Sequence, residues 1–366
     1  MSVHRSLIAA TSNPLLERAL HDKLGRRSDT TGSLGELEPL AVRLGLLQNT
    51  LKPRLRDPQV LLFASDHGLA VDGIAHPQRC STAEQVRQLL NGQLPLAVFA
   101  RIQGMELTVV DAGVSDRLPP HDRLLMRKIA HGTRNARVGP AMTVDQAHAA
   151  IRAGMEIADA MRGNVVACAG IGIGSHESSA LLLSRLTDAP VRELLVSGPR
   201  MNRDHLAHLL LVAQGAQGRH KDAVDPVEAL AAFGGFEIAM MVGVMLVAAG
   251  KRHLVVVDGM AACAALMVAS RIAEAVTDYC VFARSHGHLG LDQALHLFRS
   301  SALLELGMDS LDGTGATLAW PLIRSAAALL TEVVDGEDPG PSRPNHMAAV
   351  EPPSAGGASD HTVPEG

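Results

Sequence analysis

Apolar residues follow two distinct patterns along the chain. In the first, nearly every residue of a short run is apolar, as expected for strands buried on both faces of a parallel sheet. These runs cover residues 60–64, 107–110, 165–169, 254–257 and 279–283. In the second, apolar residues recur at helical spacing over longer segments. These segments cover residues 82–102, 143–161, 180–186, 225–232, 238–249, 261–272, 291–299 and 316–333. Strands that alternate with helices predict an α/β fold with a mainly parallel sheet.

The N-terminal residues 1–57 lack such strand-like runs. Leucines share one helical face over residues 15–24 and another over residues 34–47. Residues 25–32 are polar and glycine-flanked, and they are predicted to form a loop between the two helices.

Three other stretches depart from the alternation. Residues 114–140 are predicted to be a polar excursion, and residues 189–221 are basic and are predicted to be less regular. Over residues 335–366, Pro and Gly supply 11 of 32 positions and aromatic residues are absent. Such a composition cannot bury enough apolar surface to fold, so we predict a disordered tail.

The composition excludes some classes of partner. Hydrophobic residues make up 47% of the chain but aromatic residues only 2%, so the core must consist of Ala, Leu, Val and Met. Proteins that bind single-stranded nucleic acid stack its bases on aromatic side chains, and proteins that bind duplexes need a basic surface. Because this chain has few aromatic residues, a net charge of −5 and no basic block, we predict no nucleic-acid partner.

The cysteines and the N-terminus indicate the compartment. Cys80, Cys168, Cys263 and Cys280 are far apart and form no Cys-x-x-Cys motif. The N-terminus also lacks the charged-then-apolar pattern of a signal peptide, so a cytoplasmic location is predicted. The most apolar segment, residues 238–249, is shorter than the roughly 20 residues that span a bilayer. We expect a buried helix there and no membrane partner.

A glycine-rich turn follows the third apolar run. Residues 165–169 lead into Gly170-Ile171-Gly172-Ile173-Gly174, then Ser175 and a helical segment. Glycines let the backbone approach a phosphate closely, and the first N–H groups of a helix point at it. The alternative is a tight strand-to-helix turn without a ligand. A dinucleotide site is the weaker interpretation, because only Asp188 or Glu193 could be its ribose-binding acid, and neither ends a clear strand.

Six motifs occur in order along the chain. They are Ser65-Asp66-His67-Gly68, Val109-Val110-Asp111-Ala112-Gly113-Val114, Gly172-Ile173-Gly174, Ala232-Phe233-Gly234-Gly235-Phe236-Glu237-Ile238-Ala239, Val257-Asp258-Gly259 and Asp312-Gly313-Thr314-Gly315-Ala316. Together they resemble the nicotinate-nucleotide:dimethylbenzimidazole phosphoribosyltransferases of cobalamin lower-ligand assembly. The resemblance extends over residues 10–333.

The resemblance implies a pentosyltransferase that moves 5-phosphoribose from nicotinate mononucleotide to a nitrogen of a benzimidazole-like base. Nicotinate leaves and an α-ribazole phosphate forms. It implies no cofactor and no metal, and a homodimer, with a heterodimer containing a paralogue as the alternative. It also implies a Rossmann-like three-layer large domain at residues 58–300 and a small helical domain from residues 1–57 and 301–334.

This chemistry needs a carboxylate for the azole proton, a donor-rich loop for the 5′-phosphate and an apolar slot for the flat base. The resemblance assigns the role of general base to Asp312, where the family carries Glu. It assigns substrate binding to a larger set of residues. These are Asp66, His67, Gly172, Gly174, Ser175, His176, Gly313, Thr314 and Gly315.

Several ligand-binding motifs of the family are altered here. Gly170 stands where the family has an active-site Glu, and Ser175-His176-Glu177 replaces Asn-Thr-Thr. The family's Gly-Arg-Gly-Thr-Gly motif is absent, and its nearest counterpart is Val196-Ser197-Gly198-Pro199-Arg200. The family's Ser-x-Glu-Pro-Gly-His segment is replaced by Ser285-His286-Gly287-His288-Leu289-Gly290. These changes motivate an alternative hypothesis, a non-catalytic or altered-specificity paralogue that binds a nucleotide, a base or a homologous subunit.

Two further side-chain groups have competing interpretations. A set of histidines is compatible with zinc, namely His67, His76, His176, His286 and His288. No third ligand has recognisable metal spacing, so we predict no metal. His176 and His288 could instead donate to phosphate or carboxylate. Glu237 is predicted to cap or pair within the Gly-Gly-Phe-Glu turn.

Overall fold

The fold is built on one seven-stranded sheet in which every neighbouring pair of strands is parallel. The structure, a computed structural model, describes residues 8–74, 80–197, 201–285 and 289–333. The strands are β1 (Gln59–Ser65), β2 (Glu106–Gly113), β3 (Leu124–Met126), β4 (Val165–Ile171), β5 (Leu254–Val257), β6 (Cys280–Ser285) and β7 (Ala302–Glu305). The predicted α/β class with a parallel sheet is confirmed.

The strand order is β3-β2-β1-β4-β5-β6-β7, so β1 lies between β2 and β4. Leu61 of β1 is in register with Thr108 of β2 and with Cys168 of β4. The order of the strands reverses between β1 and β4. In open α/β sheets, ligands bind at the carboxyl ends of the strands beside such a reversal.

Thirteen α-helices accompany these strands within the described residues. They are α1 (Pro14–Thr31), α2 (Leu37–Gln48), α3 (Thr82–Leu90), α4 (Pro95–Ile102), α5 (Val144–Ala160), α6 (Ser175–Thr187), α7 (Val191–Leu195), α8 (Arg203–Arg219), α9 (Pro226–Phe233), α10 (Phe236–Gly250), α11 (Met260–Ile272), α12 (Leu289–Leu297) and α13 (Thr314–Thr331). Two 3₁₀ helices cover Gly68–Asp72 and Glu274–Tyr279.

Several predicted boundaries are wrong. The expected loop at residues 25–32 is mostly the last turns of α1, because the exposed face of a helix can be as polar as a loop. The single helix expected at residues 82–102 is two helices. Gly92 adopts a positive φ of 74° after α3, and Pro95 takes the first position of α4, where its missing N–H costs no bond.

Two stretches expected to be irregular contain regular elements. Residues 189–221 contain α7 and the 17-residue helix α8, and the polar excursion at residues 114–140 contains β3. Strand β7 was also missed. Both missed strands lie at the edges of the sheet and have only three or four residues, so they lack the long apolar run that marks the central strands.

The apolar segment near residue 240 forms α10, which is buried as predicted and packs against β1, β4 and α5. At its crossing with α5 the two backbones are in contact. A Cβ on Gly154 would lie 1.9 Å from the Met240 carbonyl oxygen, and one on Gly243 would lie 2.0 Å from that of Ile151. Among the described residues, no helix is both long and apolar enough to span a membrane.

The first and last helices of the described residues meet in space. Helix α13 packs along α2 and also contacts α1. The Lys23 ammonium donates to the carbonyl of Leu330 at 2.7 Å, which ties α1 to the end of α13. The division into a large and a small domain stays a prediction. The predicted disordered tail, residues 335–366, lies outside the described residues.

Candidate active site

A cavity of about 430 Å³ lies at the carboxyl edge of the sheet, beside the reversal of strand order. Its walls come from the end of β4, the first turns of α6 and α11, and the loop that precedes α13. The lining residues are Gln85, Gly170, Ile171, Gly172, Ser175, His176, Glu177, Ser197, Met260, Ala261, Asp309, Ser310, Leu311 and Asp312. Four sequence-predicted site residues therefore share one cavity, namely Gly172, Ser175, His176 and Asp312.

The glycine turn connects β4 to α6 at one wall of this cavity. A Cβ on Gly172 would lie 1.7 Å from the Ser65 carbonyl oxygen, so glycine allows the ends of β1 and β4 to touch. Gly174 has a φ of 87° and directly precedes the helix without a side-chain cap. Gly174 itself packs on His67 rather than lining the cavity. The first turn of α6 lines the cavity through Ser175, His176 and Glu177, so the positive end of the helix dipole lies at this wall.

Asp312 lies on another wall, in an ion pair. Its Oδ1 accepts a hydrogen bond from Nη2 of Arg284 at 2.9 Å, and its side chain is 23% exposed. Arg284 is itself buried and also donates through Nε to Oδ1 of Asp258 at 2.8 Å. Burial disfavours the charged guanidinium, but the two carboxylates outweigh it and raise the pKa of Arg284 above its ordinary value. Asp312 therefore offers the cavity a carboxylate held by a permanent cation.

The Gly-Thr-Gly motif after Asp312 forms the start of α13 rather than the cavity surface. Gly313 has a φ of 91°, a conformation that favours glycine. Thr314 is buried, and a Cβ on Gly315 would lie 2.8 Å from Cδ of Arg284. Gly315 therefore lets the start of α13 lie against Arg284, while Gly313 shapes the turn before the helix.

Asp66 and His67 lie at the end of β1 but do not line the cavity. The Asp66 carboxylate accepts from the hydroxyl of Thr82 and, at 2.7 Å, from the backbone N–H of Ser115. It thus joins the start of α3 to the loop after β2, which leads into the polar stretch.

His67 belongs to a buried cluster with Glu237 and Ser175. His67 Nε2 lies 2.7 Å from Oε1 of Glu237, and both side chains are fully buried. The Ser175 hydroxyl donates to the same oxygen at 2.9 Å. Burial by itself would lower the pKa of His67, but the Glu237 carboxylate outweighs it, so the pKa is raised. Glu237 is thus paired with His67 and Ser175, which lie outside the Gly-Gly-Phe-Glu turn within which it was predicted to cap or pair.

Gly170 lies where the cavity meets this cluster. A Cβ at this position would stand 2.7 Å from Cβ of Ala261 and 3.4 Å from Cγ of Glu237. A side chain here would therefore displace α11 or α10, both of which pack against β4. The glycine in place of the expected Glu is matched by the neighbouring packing.

Sequence reasoning missed several residues of this region, among them Gln85, Asp258, Arg284 and Asp309. Asp258 directly follows β5, as Asp66 follows β1, and Arg284 is near the end of β6. Their place after apolar runs, at the carboxyl ends of strands, was a usable signal. Gln85 and Asp309 carry no such signal.

The structure can test only part of the histidine set that was considered for a metal site. His76, His286 and His288 lie outside the described residues. Residues 198–200 of the segment nearest to the Gly-Arg-Gly-Thr-Gly motif also lie outside them. Across the parts of the chain that the structure describes, no three His, Cys, Asp or Glu side chains are grouped to hold a metal ion.

Comparison with known proteins gives consistent matches over most of the chain. The profile of a family described as phosphoribosyltransferase matches residues 10–340. The nicotinate-nucleotide–dimethylbenzimidazole phosphoribosyltransferase of Cupriavidus taiwanensis is 43% identical over 323 residues, covering 87% of this chain and 92% of the relative. The protein of the same name from Parabacteroides distasonis is 33% identical, with 87% and 93% covered.

Solved structures agree with these relatives. The crystal structure of nicotinate-nucleotide-dimethylbenzimidazole phosphoribosyltransferase from Thermus thermophilus superposes with a TM-score of 0.80 at 30% identity. The match covers 87% of this chain and 96% of that one. A second structure from the same organism gives a TM-score of 0.81 at 31% identity.

Proposed function

Because the chain belongs to the phosphoribosyltransferase family, we propose that it moves a 5-phosphoribosyl group from nicotinate mononucleotide to a nitrogen of a benzimidazole-like base. The observation that carries this proposal is the partly exposed Asp312 carboxylate, which shares one cavity with the first turn of α6. The cavity thus combines a proton acceptor with a seat for an anion.

Asp312 is the proposed general base. One nitrogen of the azole attacks C1′ of the ribose, and the bond from C1′ to the pyridinium nitrogen breaks with its electron pair moving to nicotinate. The proton on the other azole nitrogen passes to Asp312. A base in such a step stands within about 2.6–3.2 Å of the proton-bearing atom and contributes about 10²–10⁴-fold to the rate.

The start of α6 is the proposed seat of the 5′-phosphate. Backbone N–H groups of the first turn supply donors and the helix dipole favours an anion there. The Ser175 hydroxyl itself is bonded to Glu237. Gly172 and Gly174 shape this turn, and His176 lines the cavity beside it.

Two further properties of the lining suit the substrates. Ile171, Met260, Ala261 and Leu311 supply apolar surface for a flat aromatic base. Carboxylates on the lining favour the cationic pyridinium ring of nicotinate mononucleotide over the uncharged pyridine ring of nicotinate, the leaving group. Residues of this chain supply every role in the proposed step, and no cofactor is invoked.

Release of nicotinate tests the proposal directly. The purified chain is incubated with nicotinate mononucleotide and 5,6-dimethylbenzimidazole, and both products are separated by chromatography. We expect nicotinate and a ribosylated base in equal amounts, with neither formed when the base is omitted. If a panel of benzimidazoles and other azoles yields no nicotinate, the proposed transfer is wrong.

The assembly and the compartment are proposed with the function. We propose a homodimer in the cytoplasm, in keeping with the sequence resemblance and with the four cysteines, none of which is in a disulfide. Light scattering of the purified chain would separate a dimer from a monomer by mass.

A further inference from the structure

Arg284 uses all of its donors to join three parts of the site. It reaches Asp258 after β5 and Asp312 before α13, as described above. Its Nη2 also donates to the Ser310 carbonyl at 3.0 Å. Its Nη1 donates to the Met308 carbonyl at 3.1 Å and to the Ser310 hydroxyl at 3.3 Å. A guanidinium has five N–H groups in a rigid fork, and these five bonds account for them.

The segment that Arg284 holds is a wall of the cavity. Asp309, Ser310, Leu311 and Asp312 all line it. An aspartate side chain has a single methylene, so its backbone determines most of the position of its carboxylate. A side chain that fixes residues 308–312 therefore also fixes where the Asp312 oxygens can meet a ligand.

The surrounding backbone is shaped for this close approach. A Cβ on Gly259 would lie 2.0 Å from Cγ of Asp312, and one on Gly315 would lie 2.8 Å from Cδ of Arg284. Asp258 is anchored from the other side, because its Oδ2 accepts from the Ala316 N–H at 3.1 Å. Hydrogen bonds thus connect the end of β5 through Arg284 to the start of α13.

We propose that Arg284 is the positioning residue of this enzyme, which orients the Asp312 carboxylate and holds the wall at residues 308–312. The inference rests on the proposed function of Asp312 as the base. Arg284 is buried and does not line the cavity, so it acts on the reaction through Asp312 rather than by touching substrate.

A double-mutant cycle tests this mode of action. The variants are Arg284→Gln, Asp312→Asn and the double variant. Each is measured for kcat and KM of nicotinate release and, by calorimetry, for the Kd of 5,6-dimethylbenzimidazole. Circular dichroism checks the folding of each variant. Arg271→Gln is the matched control, because Arg271 is exposed and also donates to a backbone carbonyl, that of Leu186.

Arg284→Gln is expected to lower kcat by about 10- to 100-fold, since small misplacements of a catalytic group cost this much. The KM for nicotinate mononucleotide should change by less than about twofold, because Arg284 does not contact the substrate in its ground state. In the Asp312→Asn background, adding Arg284→Gln should lower kcat by less than about twofold and raise the Kd of the base by less than about twofold, both relative to Asp312→Asn alone. Arg284→Lys keeps the charge without the fork and should fall between wild type and Arg284→Gln. It also provides the comparison if Arg284→Gln does not fold.

Two results would overturn the inference. One is an equal loss on replacing Arg284 whether residue 312 is Asp or Asn, which would mean that Arg284 acts independently of Asp312. The other is a wild-type chain that does not bind the base. A wild type that binds the base but releases no nicotinate overturns the proposed function alone. In that case the double-mutant cycle is evaluated on the Kd of 5,6-dimethylbenzimidazole, and it still decides whether Arg284 acts through Asp312.

Discussion

Two pairs of a carboxylate and a basic side chain stand at the carboxyl edge of the same sheet, and they differ in their access to the cavity. Glu237 and His67, the closed pair, are 2.7 Å apart and fully buried. Asp312 and Arg284, the half-open pair, are 2.9 Å apart, with the arginine buried but the Asp312 side chain 23% exposed. The closed pair can stabilise the fold but cannot reach a ligand, whereas the half-open pair can do both.

The elements that carry the two carboxylates explain the difference. Glu237 lies in the first turn of α10, a helix packed on several sides by α5, α11 and the sheet. Asp312 lies in a loop from which Asp309, Ser310 and Leu311 also line the cavity. A glycine motif next to an acidic residue therefore does not by itself show that the residue is catalytic. Exposure to the cavity decides which of the two can take part in chemistry.

The largest expected effect comes from removing the charge of the half-open pair. Asp312→Asn should lower kcat for nicotinate release by about 10²–10⁴-fold, because the amide cannot accept the azole proton. Asp309→Asn is the matched control, since it lines the same cavity and should retain most of kcat. A loss of less than about tenfold in Asp312→Asn would remove Asp312 from the role of base.

The closed pair should respond in stability instead. His67→Gln leaves the Glu237 carboxylate buried without its basic partner, and breaking a buried pair in this way costs about 3–5 kcal/mol of unfolding free energy. Urea unfolding measures this loss. Glu84→Gln breaks the exposed pair with Arg87 and should cost at most about 1 kcal/mol. Similar losses in both variants would contradict the distinction between buried and exposed pairs.

Gly170 connects the two regions and can be used to disturb both. Gly170→Ala places a methyl group against Ala261 and beside Glu237. Overpacking of this kind costs about 1–3 kcal/mol of unfolding free energy. Adding Ala261→Gly removes the closest contact and should restore most of the stability, which thermal unfolding of the single and double variants would show. No restoration would mean that Ala261 is not the limiting neighbour.

The smallest expected effect is a pH dependence specific to the closed pair. The pKa of His67 is raised in the folded protein, so the folded state binds the proton more tightly than the unfolded chain does. Its stabilisation is complete below the unfolded pKa of about 6.5 and is lost as pH rises through the raised folded pKa, with a slope of at most about 1.4 kcal/mol per pH unit.

Urea unfolding of wild type and His67→Gln over this range isolates that contribution. The difference between their unfolding free energies should shrink as pH rises above the unfolded pKa of about 6.5. A difference that is constant across the range would mean that His67 does not change its protonation with folding.

Sequence patterns predicted the central strands better than the edges. β1, β2, β4, β5 and β6 are apolar runs, and each lies within a few residues of its predicted position. β3 and β7 are too short for periodicity to detect. The break between α3 and α4 was overlooked although Gly92 and Pro95 mark it, because the apolar spacing continues across it.

The amino-acid sequence by itself determined the α/β class, the family and the approximate place of the site. Apolar period, glycine turns and strand-end motifs are local properties, and they can be recognised within a few neighbouring residues. Only the tertiary structure decided which carboxylate faces the cavity and which cation holds it. Arg284 meets a carboxylate 26 positions away, and His67 meets one 170 positions away. Such pairs depend on how the strands and helices pack, which no local pattern specifies.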